Sequence, residues 1–288
     1  MLIYANGCSH SIGIGSNYSW SEIVSKSLSR NLNYLTDIYL ENYKIFEKNT
    51  FYNFADSGKG NDLIFIETID FISKCKKNKI KPDYVLIQWS GPSRFTKQEF
   101  DGKLRKYTPS DDSIDLFSFE PFASVRTLSF IYTLQELFKK ENIEYYFCCY
   151  MDLDKSLIDT EIYSLIDLSK FISFDSQTNP ITDGFRQKMI NFGYIMDANG
   201  HPSFYGHYYI ANKFLDIIKI PNTDIGFFEI LPHKNKLPFG IYLENKIDFI
   251  SYYMDNMINK ENAMRYSKEG ILKEGGREEK NKLRKSIF

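Results

Sequence analysis

The stretch LIYANGCSHS, residues 2–11, decides the fold of this chain. Its first four residues are uncharged and apolar, which predicts a short strand that is buried on both faces. The Asn-Gly pair at 6–7 predicts a sharp turn at the end of that strand. Ser9 follows the turn directly. In open α/β sheets, ligands bind among such loops at the carboxyl ends of the strands.

The order of a short apolar run followed by a helical pattern recurs through the first two-thirds of the chain. Further apolar runs lie at 51–54, 84–87 and 145–150. Apolar residues at helical spacing lie at 20–32, 65–72, 130–138 and 204–218. Uniformly apolar strands that alternate with helices are typical of a parallel sheet covered on both faces. We therefore predict an α/β fold.

Local signals predict where several elements begin. Ser19 and Glu22 have the spacing of a capping box, so the first helix is predicted to begin at Ser19. Asn61 or Asp62 is predicted to cap the helix after the second strand. The remaining core predictions are a polar, acidic loop at 97–121, a helix at about 155–170 and a short strand at 171–174.

The pattern changes after about residue 220. Apolar segments at 225–231 and 237–243 predict a hairpin, and residues 247–258 predict one amphipathic helix. Residues 265–288 are rich in charge and glycine, and we expect them to be largely disordered. The predicted units are a main domain at 1–219, a hairpin–helix appendage at 220–264 and a charged tail at 265–288. The appendage could cover a cleft or form a homodimer contact.

The composition is typical of a soluble globular chain, with 43% hydrophobic and 25% charged residues among 288. The chain has 36 Lys and Arg against 37 Asp and Glu, a net charge of −1. This balance argues against a nucleic-acid partner, which would need a basic face. No apolar run is long enough for a signal peptide or a membrane span, so we expect no membrane association. The four cysteines lack Cys-x-x-Cys spacing, which favours a reducing, cytoplasmic setting.

Three loop segments carry the residues that are suited to chemistry. The first is NGCSHS at 6–11, and the second is NFADSGKGND at 53–62, a glycine-rich loop that opens a helix. Backbone N–H groups of such a loop can point at an anion or an oxyanion. The third is DANGHPS at 197–203, immediately before the last core helix. A serine after the first strand and a histidine before the final helix can meet over a parallel sheet.

Together these segments resemble the sequence blocks of the SGNH (GDSL-like) hydrolases, over roughly residues 1–218. The resemblance implies a three-layer α/β/α fold with a flavodoxin-like sheet, and acyl-ester chemistry through a serine nucleophile. It assigns Ser9 as the nucleophile, His201 as the general base, and Gly58 as the glycine whose N–H joins that of Ser9 in an oxyanion hole. An imidazole suits the role of the base, because its unperturbed pKa of about 6.5 lets it take and return a proton near neutrality.

Two segments depart from the family pattern. The family usually has Asp three residues before the histidine, where this chain has Ala198. We favour Asp197 as the acid that orients His201, and a Ser–His dyad oriented by a backbone carbonyl is the alternative. The third family block normally presents an Asn after a Gly, whereas this chain has QWSGPSR at 88–94.

The altered third block leaves one oxyanion donor open. Ser90 stands at about the position of the family's Asn, and Asn61 of the second segment is another source of an amide. Arg94 follows closely in the chain and is a candidate cation that faces the substrate.

These residues predict a serine esterase that hydrolyses an acyl ester, such as an acetyl ester, through an acyl-enzyme. The expected substrate is a carbohydrate or another small polar ester. The same site could transfer the acyl group to a sugar hydroxyl instead of water. A non-catalytic binding module on the same fold is a further alternative, since two blocks are altered. The mechanism requires no cofactor and no metal, and the His and Cys spacings match no zinc site.

Three more residues near these segments could serve either packing or chemistry. Cys8 could be a thiol nucleophile, but we predict a small residue that packs under the turn. His207, on the last helix, is predicted to be a packed structural histidine. His10 borders the nucleophile, and whether it contacts substrate stays open.

Overall fold

The computed structural model describes residues 1–13, 19–28, 32–36, 49–98, 104–107, 120–191, 194 and 201–219. The appendage predicted at 220–264 and the tail predicted at 265–288 lie outside these residues. The strands and α-helices, in chain order, are β1 (Leu2–Asn6), α1 (Trp20–Leu28), β2 (Asn33–Leu35), β3 (Thr50–Asn53), α2 (Asn61–Lys77), β4 (Tyr84–Trp89), β5 (Phe95–Gln98), β6 (Leu104–Tyr107), α3 (Glu120–Lys140), β7 (Glu144–Cys149), α4 (Glu161–Ser164), α5 (Phe185–Asn191) and α6 (Phe204–Ile218).

Five strands form one parallel sheet in the order β2-β3-β1-β4-β7. In its centre, β1 pairs with β3 on one side and with β4 on the other, and Ala5 lies opposite Asn53 and Leu86. Because these strands run in the same direction, their carboxyl ends lie along one edge of the sheet. The predicted α/β fold with a mostly parallel sheet is confirmed.

Successive residues of the strands face opposite sides of the sheet. Tyr4 belongs to an apolar cluster that includes α2 and α3, whereas its neighbours Ile3 and Ala5 belong to a second cluster that includes α1 and α6. Helices therefore pack on both faces of the sheet. The central strands have no solvent-facing side, which explains their continuous apolar sequences.

The first helix begins as predicted, because the Glu22 N–H donates to the Ser19 hydroxyl at 3.1 Å. However, α1 ends at Leu28, whereas the apolar stripe predicted a helix that extends to Leu32. The chain instead forms the short edge strand β2. A hydrogen bond of 3.1 Å between the Tyr34 hydroxyl and Ser19 Oγ ties this strand back to the start of the helix.

The predicted cap of α2 is wrong. The residue at the cap position is Gly60, and no side chain caps the helix. The Asn61 side chain accepts a hydrogen bond from the Ser90 N–H at 2.7 Å, and Asp62 accepts one from the Thr96 N–H, also at 2.7 Å. Asn61 holds the loop after β4 and Asp62 holds the start of β5, so tertiary contacts override their local preference for capping.

The loop predicted at 97–121 is wrong in part. β5 and β6 form an antiparallel hairpin, and α3 already begins at Glu120. Phe95 and Tyr107 lie opposite each other in this hairpin, and their rings stack with centroids 4.8 Å apart. Such cross-strand aromatic pairs stabilise a hairpin. The Lys and Arg residues between these two aromatics hid the pairing in the sequence.

The helix predicted at about 155–170 is also wrong. The chain forms a 3-10 turn at 155–159, the short helix α4, and a second 3-10 turn at 168–170. At the start of each of these three segments, a side-chain oxygen accepts a hydrogen bond from a backbone N–H. The accepting side chains are those of Asp154, Thr160 and Asp167, in chain order. Each cap begins a new short helical segment, so one continuous helix does not form.

Two further differences lie beyond β7. The strand predicted at 171–174 is reduced to a single parallel bridge between Phe171 and Phe147. The helix α5 was not predicted. Gly184, just before α5, lies so close to the end of β7 that an added Cβ would be 2.7 Å from the Met151 carbonyl carbon. Only glycine fits there.

None of the described helices is both long and apolar enough to cross a lipid bilayer. All four cysteines are buried free thiols. Burial raises the pKa of the Cys75 thiol to about 12, so this group is a neutral packing residue near neutrality.

We predict that Phe214→Ala destabilises the protein by about 3–5 kcal/mol, because it removes a fully buried ring between α1 and α6. The Phe214 ring stacks on Trp20 with centroids 4.6 Å apart, so the substitution opens a cavity. Urea unfolding followed by circular dichroism measures the change. Asp216→Ala, at an exposed position of the same helix, is the control and should change stability by less than ~0.5 kcal/mol. Equal stability of the two variants would contradict this packing.

Candidate active site

Three loops meet at the carboxyl edge of the sheet because β1 pairs with both β3 and β4. They are residues 7–13 after β1, 54–60 after β3 and 90–94 after β4. The Asp56 N–H donates to the Gly7 carbonyl at 3.3 Å, which joins the first two loops just beyond the strands. This edge carries five of the predicted site residues: Ser9, Gly58, Asn61, Ser90 and Arg94.

The first loop is a tight turn that holds Ser9. The Ser11 N–H donates to the Cys8 carbonyl at 2.8 Å, and the Gly7 N–H donates to the Asn6 side chain at 2.8 Å. A Cβ on Gly7 would lie 2.0 Å from Ser11 Oγ, so only glycine fits. Ser9 is 4% exposed, whereas Cys8 is completely buried, as predicted. Both residues are therefore buried in the turn, and Ser9 keeps only a trace of exposed surface.

The third segment of the sequence contacts this turn through His201. The His201 ring stacks on the ring of His10, the residue after Ser9, with centroids 4.8 Å apart and planes 27° apart. The His10 ring also stacks on Tyr150, just after β7, with centroids 4.2 Å apart. The two predicted reacting residues are therefore carried by segments that contact each other directly.

The start of α6 fixes the position of His201. Ser203 caps this helix, since its hydroxyl accepts the Gly206 N–H at 3.4 Å. The Ser203 N–H donates to the Tyr194 carbonyl at 2.8 Å. A Cβ on Gly206 would lie 2.5 Å from the same carbonyl oxygen, so the first turn of the helix packs closely on this segment. These contacts hold the chain two residues after His201.

His207 is buried beneath this region and is a structural histidine, as predicted. Its side chain is 0% exposed, and its Nδ1 accepts the Trp20 N–H at 3.2 Å. Burial, together with the nearby His201, lowers the pKa of His207 to about 3. The ring is therefore neutral near neutral pH and carries its hydrogen on Nε2. It links the start of α1 to α6.

The second loop contains a strained position that requires glycine. Gly58 has a φ of +71°, in the left-handed region. An added Cβ would meet only the Lys106 side chain, at 3.7 Å, so the backbone conformation and not the space requires glycine. Lys106, on β6, forms an ion pair with Asp56 and donates to the Ser57 carbonyl at 3.0 Å. The hairpin therefore holds this loop from the outside.

The side chain of Asn61 ties the second loop to the third. Its Nδ2 donates to the Ser90 carbonyl at 3.1 Å and to Thr127 Oγ1 at 3.0 Å, so both hydrogens of the amide are used. The Ser90 hydroxyl accepts a hydrogen bond from half-buried Arg94 at 3.3 Å, and such a hydroxyl keeps its own hydrogen to donate. The third oxyanion donor stays a prediction, and this geometry favours Ser90 over Asn61.

Asp197 lies outside the described residues, so the group that orients His201 stays a prediction. Asp197 and a backbone carbonyl remain the two alternatives. Over the described part of the chain, no three His, Cys, Asp or Glu side chains are arranged to hold a metal ion.

A buried charged residue lies beneath this edge and was not predicted. Lys59 is 1% exposed, and its Nζ donates to Asn6 Oδ1 at 3.2 Å, to Glu67 Oε2 at 2.5 Å and to the Phe54 carbonyl. Burial lowers the pKa of Lys59 and raises the pKa of Glu67, and the pairing of the two charges opposes both shifts.

The sequence did contain a signal for this pair. Glu67 stands in the buried stripe of α2, between Ile64 and Phe71. A carboxylate among apolar residues at helical spacing requires a buried partner. Only the fold reveals that this partner is Lys59, eight residues earlier in a loop.

We predict that His207 makes stability depend on pH. Because its pKa in the folded protein is about 3, the unfolded chain binds a proton below about pH 6.5 that the folded chain does not. The stability from the neutral ring is therefore complete above pH 6.5 and decreases as the pH falls, by up to ~1.4 kcal/mol per pH unit. His207→Asn keeps an acceptor for the Trp20 N–H and should remove this part of the slope.

Urea unfolding of both proteins between about pH 5 and pH 7.5 measures the two slopes. His207→Asn also costs packing, so its absolute stability is not the readout. Parallel slopes for the two proteins would contradict a neutral, proton-excluding His207.

The chain matches no model of a known protein family, and it matches no curated protein significantly. Catalytic sites are recognised by the geometry and roles of their residues rather than by their sequence positions. The function of this chain is therefore inferred from the contacts around Ser9 and His201.

Proposed function

We propose that the chain is a serine esterase of the SGNH type, with Ser9 as the nucleophile and His201 as the general base. The observation that carries this proposal is the contact between the turn of Ser9 and the segment of His201, made by the stacked rings of His10 and His201. Both segments lie at the carboxyl edge of a parallel sheet, where α/β folds bind ligands. A serine and a histidine that lie close together at this edge are suited to nucleophilic catalysis.

The strand order supports the proposed three-layer, flavodoxin-like fold. Without the short edge strand β2, the sheet runs β3-β1-β4-β7, and Phe171 makes a parallel bridge to β7 at the far edge. Numbered along the chain, these four strands have the order 2-1-3-4, and the Phe171 bridge lies where a fifth strand would complete the flavodoxin-like order 2-1-3-4-5. Helices on both faces agree with it.

In the proposed reaction, Ser9 Oγ attacks the carbonyl carbon of the ester while the His201 imidazole takes the hydroxyl proton. The carbonyl oxygen becomes an oxyanion. When the bond to the alcohol oxygen breaks, His201 returns the proton to that oxygen, and the acyl group stays on Ser9. Water then attacks the acyl-enzyme by the same steps, which releases the acid and restores the serine.

The left-handed backbone at Gly58 supports an oxyanion hole between the first two loops. Turns that combine right- and left-handed residues direct successive N–H groups into one concavity, which favours an anion. The N–H groups of Gly58 and Ser9 would then receive the charge that develops on the carbonyl oxygen. Ser90 supplies a third donor in this proposal, and Arg94 stands beside it as the cation that faces the substrate.

Carbohydrate esters and other small polar esters are the proposed substrates. Acyl transfer to a sugar hydroxyl would use the same acyl-enzyme and differ only in the second nucleophile. Mass spectrometry of products from an acetylated sugar, with a free sugar present as acceptor, separates the two. Release of acetate supports the esterase, and acetyl transfer without acetate supports the transferase.

We predict that a fluorophosphonate labels the folded protein on Ser9 and on no other residue, because only an activated serine reacts. Peptide mapping locates the label. Ser9→Ala should abolish it and lower the hydrolysis of p-nitrophenyl acetate by at least ~10³-fold. Ser11→Ala is the matched control, since it removes a buried hydroxyl of the same turn. It should leave both the labelling of Ser9 and the rate of hydrolysis near wild type.

Two outcomes would contradict the esterase. Equal labelling of wild type and Ser9→Ala would mean that another residue reacts. No labelling of a wild-type protein that melts cooperatively would favour a non-catalytic binding module on this fold.

A further inference from the structure

Lys59 lies between Gly58 and Gly60 in the second loop, but its side chain points into the protein and is 1% exposed. Lysine is almost never fully buried unless it is paired. An ammonium group has three hydrogens, and Lys59 Nζ has three acceptors. Each acceptor belongs to a different part of the fold: Asn6 ends β1, Phe54 follows β3, and Glu67 lies on α2. One side chain therefore joins two strand ends and a helix.

These bonds continue into the backbone of the turn that holds Ser9. Asn6 Oδ1 accepts from Lys59 Nζ at 3.2 Å and also from the Gly7 N–H at 2.8 Å. The Asn6 amide is itself held by Glu67 Oε2 at 3.0 Å and by the Tyr4 hydroxyl at 2.7 Å. The position of Asn6, three residues before Ser9, is thus set by the same ion pair that holds Lys59.

Lys59 is connected to the Gly58 loop through the backbone itself. Lys59 follows Gly58 directly, so a fixed Lys59 side chain also fixes the peptide next to Gly58. From outside, the first residue of the hairpin limits the same loop, since a Cβ on Gly60 would lie 2.6 Å from Phe95 Cα. The loop is therefore held between the hairpin and the buried ammonium.

Stability alone does not explain the pair. Two charges removed from water lose much of their hydration, and a well-packed hydrophobic pair of similar volume is often equally stable or more stable. The ion pair offers a fixed geometry instead, because its hydrogen bonds are directional and all three ammonium hydrogens are used.

We propose that Lys59 is a positioning residue that sets the Ser9 turn and the Gly58 loop at the separation that their two N–H groups need to bind an oxyanion. This inference rests on the proposed esterase function. Oxyanion donors act mainly in the transition state, so a displaced loop lowers kcat and leaves KM nearly unchanged. A displacement of about 1 Å in a catalytic site can lower the rate by about 10²-fold.

The test replaces the whole pair, because Lys59→Met alone would leave Glu67 buried without its partner. The variant Lys59→Met/Glu67→Leu keeps the volume and removes both charges. Its melting temperature should fall, because the Phe54 carbonyl and the Asn6 side chain lose buried partners. At a temperature where the variant is fully folded, its kcat on p-nitrophenyl acetate should be roughly 10–100-fold lower than that of wild type, with KM within about 3-fold. The rate of fluorophosphonate labelling should fall in parallel with kcat.

The control is the ion pair of Lys76 with Glu141, which is far more exposed and joins the end of α2 to the end of α3. Lys76→Met/Glu141→Leu makes the same chemical change at the opposite edge of the sheet and should leave kcat, KM and labelling unchanged. A purely structural role predicts a wild-type kcat at temperatures where the variant is fully folded. The positioning role predicts a loss of kcat at those temperatures.

A folded Lys59→Met/Glu67→Leu variant with wild-type kcat would overturn the inference and leave the esterase intact. A wild-type protein that neither labels nor hydrolyses would overturn the esterase and the inference together.

Should the double variant not melt cooperatively, the comparison of Glu67→Gln with Glu67→Leu replaces it. The glutamine keeps an acceptor for Lys59 Nζ and should keep kcat within about 3-fold, whereas the leucine should lose about 10-fold or more. Equal kcat for these two variants would overturn the inference.

Discussion

Because β1 pairs in parallel with β3 on one side and β4 on the other, the loops after β3 and β4 each leave the sheet one strand spacing from the loop after β1, at the same edge. The serine turn, the loop of Gly58 and the loop of Ser90 become neighbours through backbone pairing alone. His201 reaches them because α6 packs on one face of this sheet and begins at that edge. Bringing these loops to one edge needs only apolar strands with helices on both sides.

The same edge creates a problem that the chain solves with buried polar side chains. Where the backbone leaves the sheet, its N–H and C=O groups lose their ladder partners, and a buried unpaired group is costly. Asn61 pairs with both the N–H and the carbonyl of Ser90, much as a neighbouring strand would. Asn6 accepts the Gly7 N–H, and Lys59 donates to the Phe54 carbonyl. These side chains extend the sheet beyond its last hydrogen bond and keep the three loops in register.

Features that depend on local pattern could be predicted from the sequence, and features that depend on distant partners could not. The apolar runs gave the parallel sheet, and the spacing of Ser19 and Glu22 gave the start of α1, since both signals act within one element. Asn61 has the right type and place for a helix cap, but a backbone 29 residues away takes its side chain. The position of Glu67 in the buried stripe of α2 indicated that it needs a partner, but only the packing of α2 on the sheet identifies that partner as Lys59. The predicted serine and histidine segments meet because strand order, unlike side-chain pairing, follows from the alternation itself.

The stacked rings of Tyr150, His10 and His201 have a consequence for how this site tolerates sequence change. A ring that packs face to face with another cannot tilt freely, so the plane of His201 is limited by contacts that begin at the end of β7. In the proposed esterase, the base keeps its plane whichever group accepts its second N–H. The acid could then move by one sequence position, from that of Ala198 to that of Asp197, while the plane of the His201 ring stays the same. The orientation of the base would thus depend on contacts at the end of a core strand. The loop that carries the acid could then change in sequence without disturbing the base.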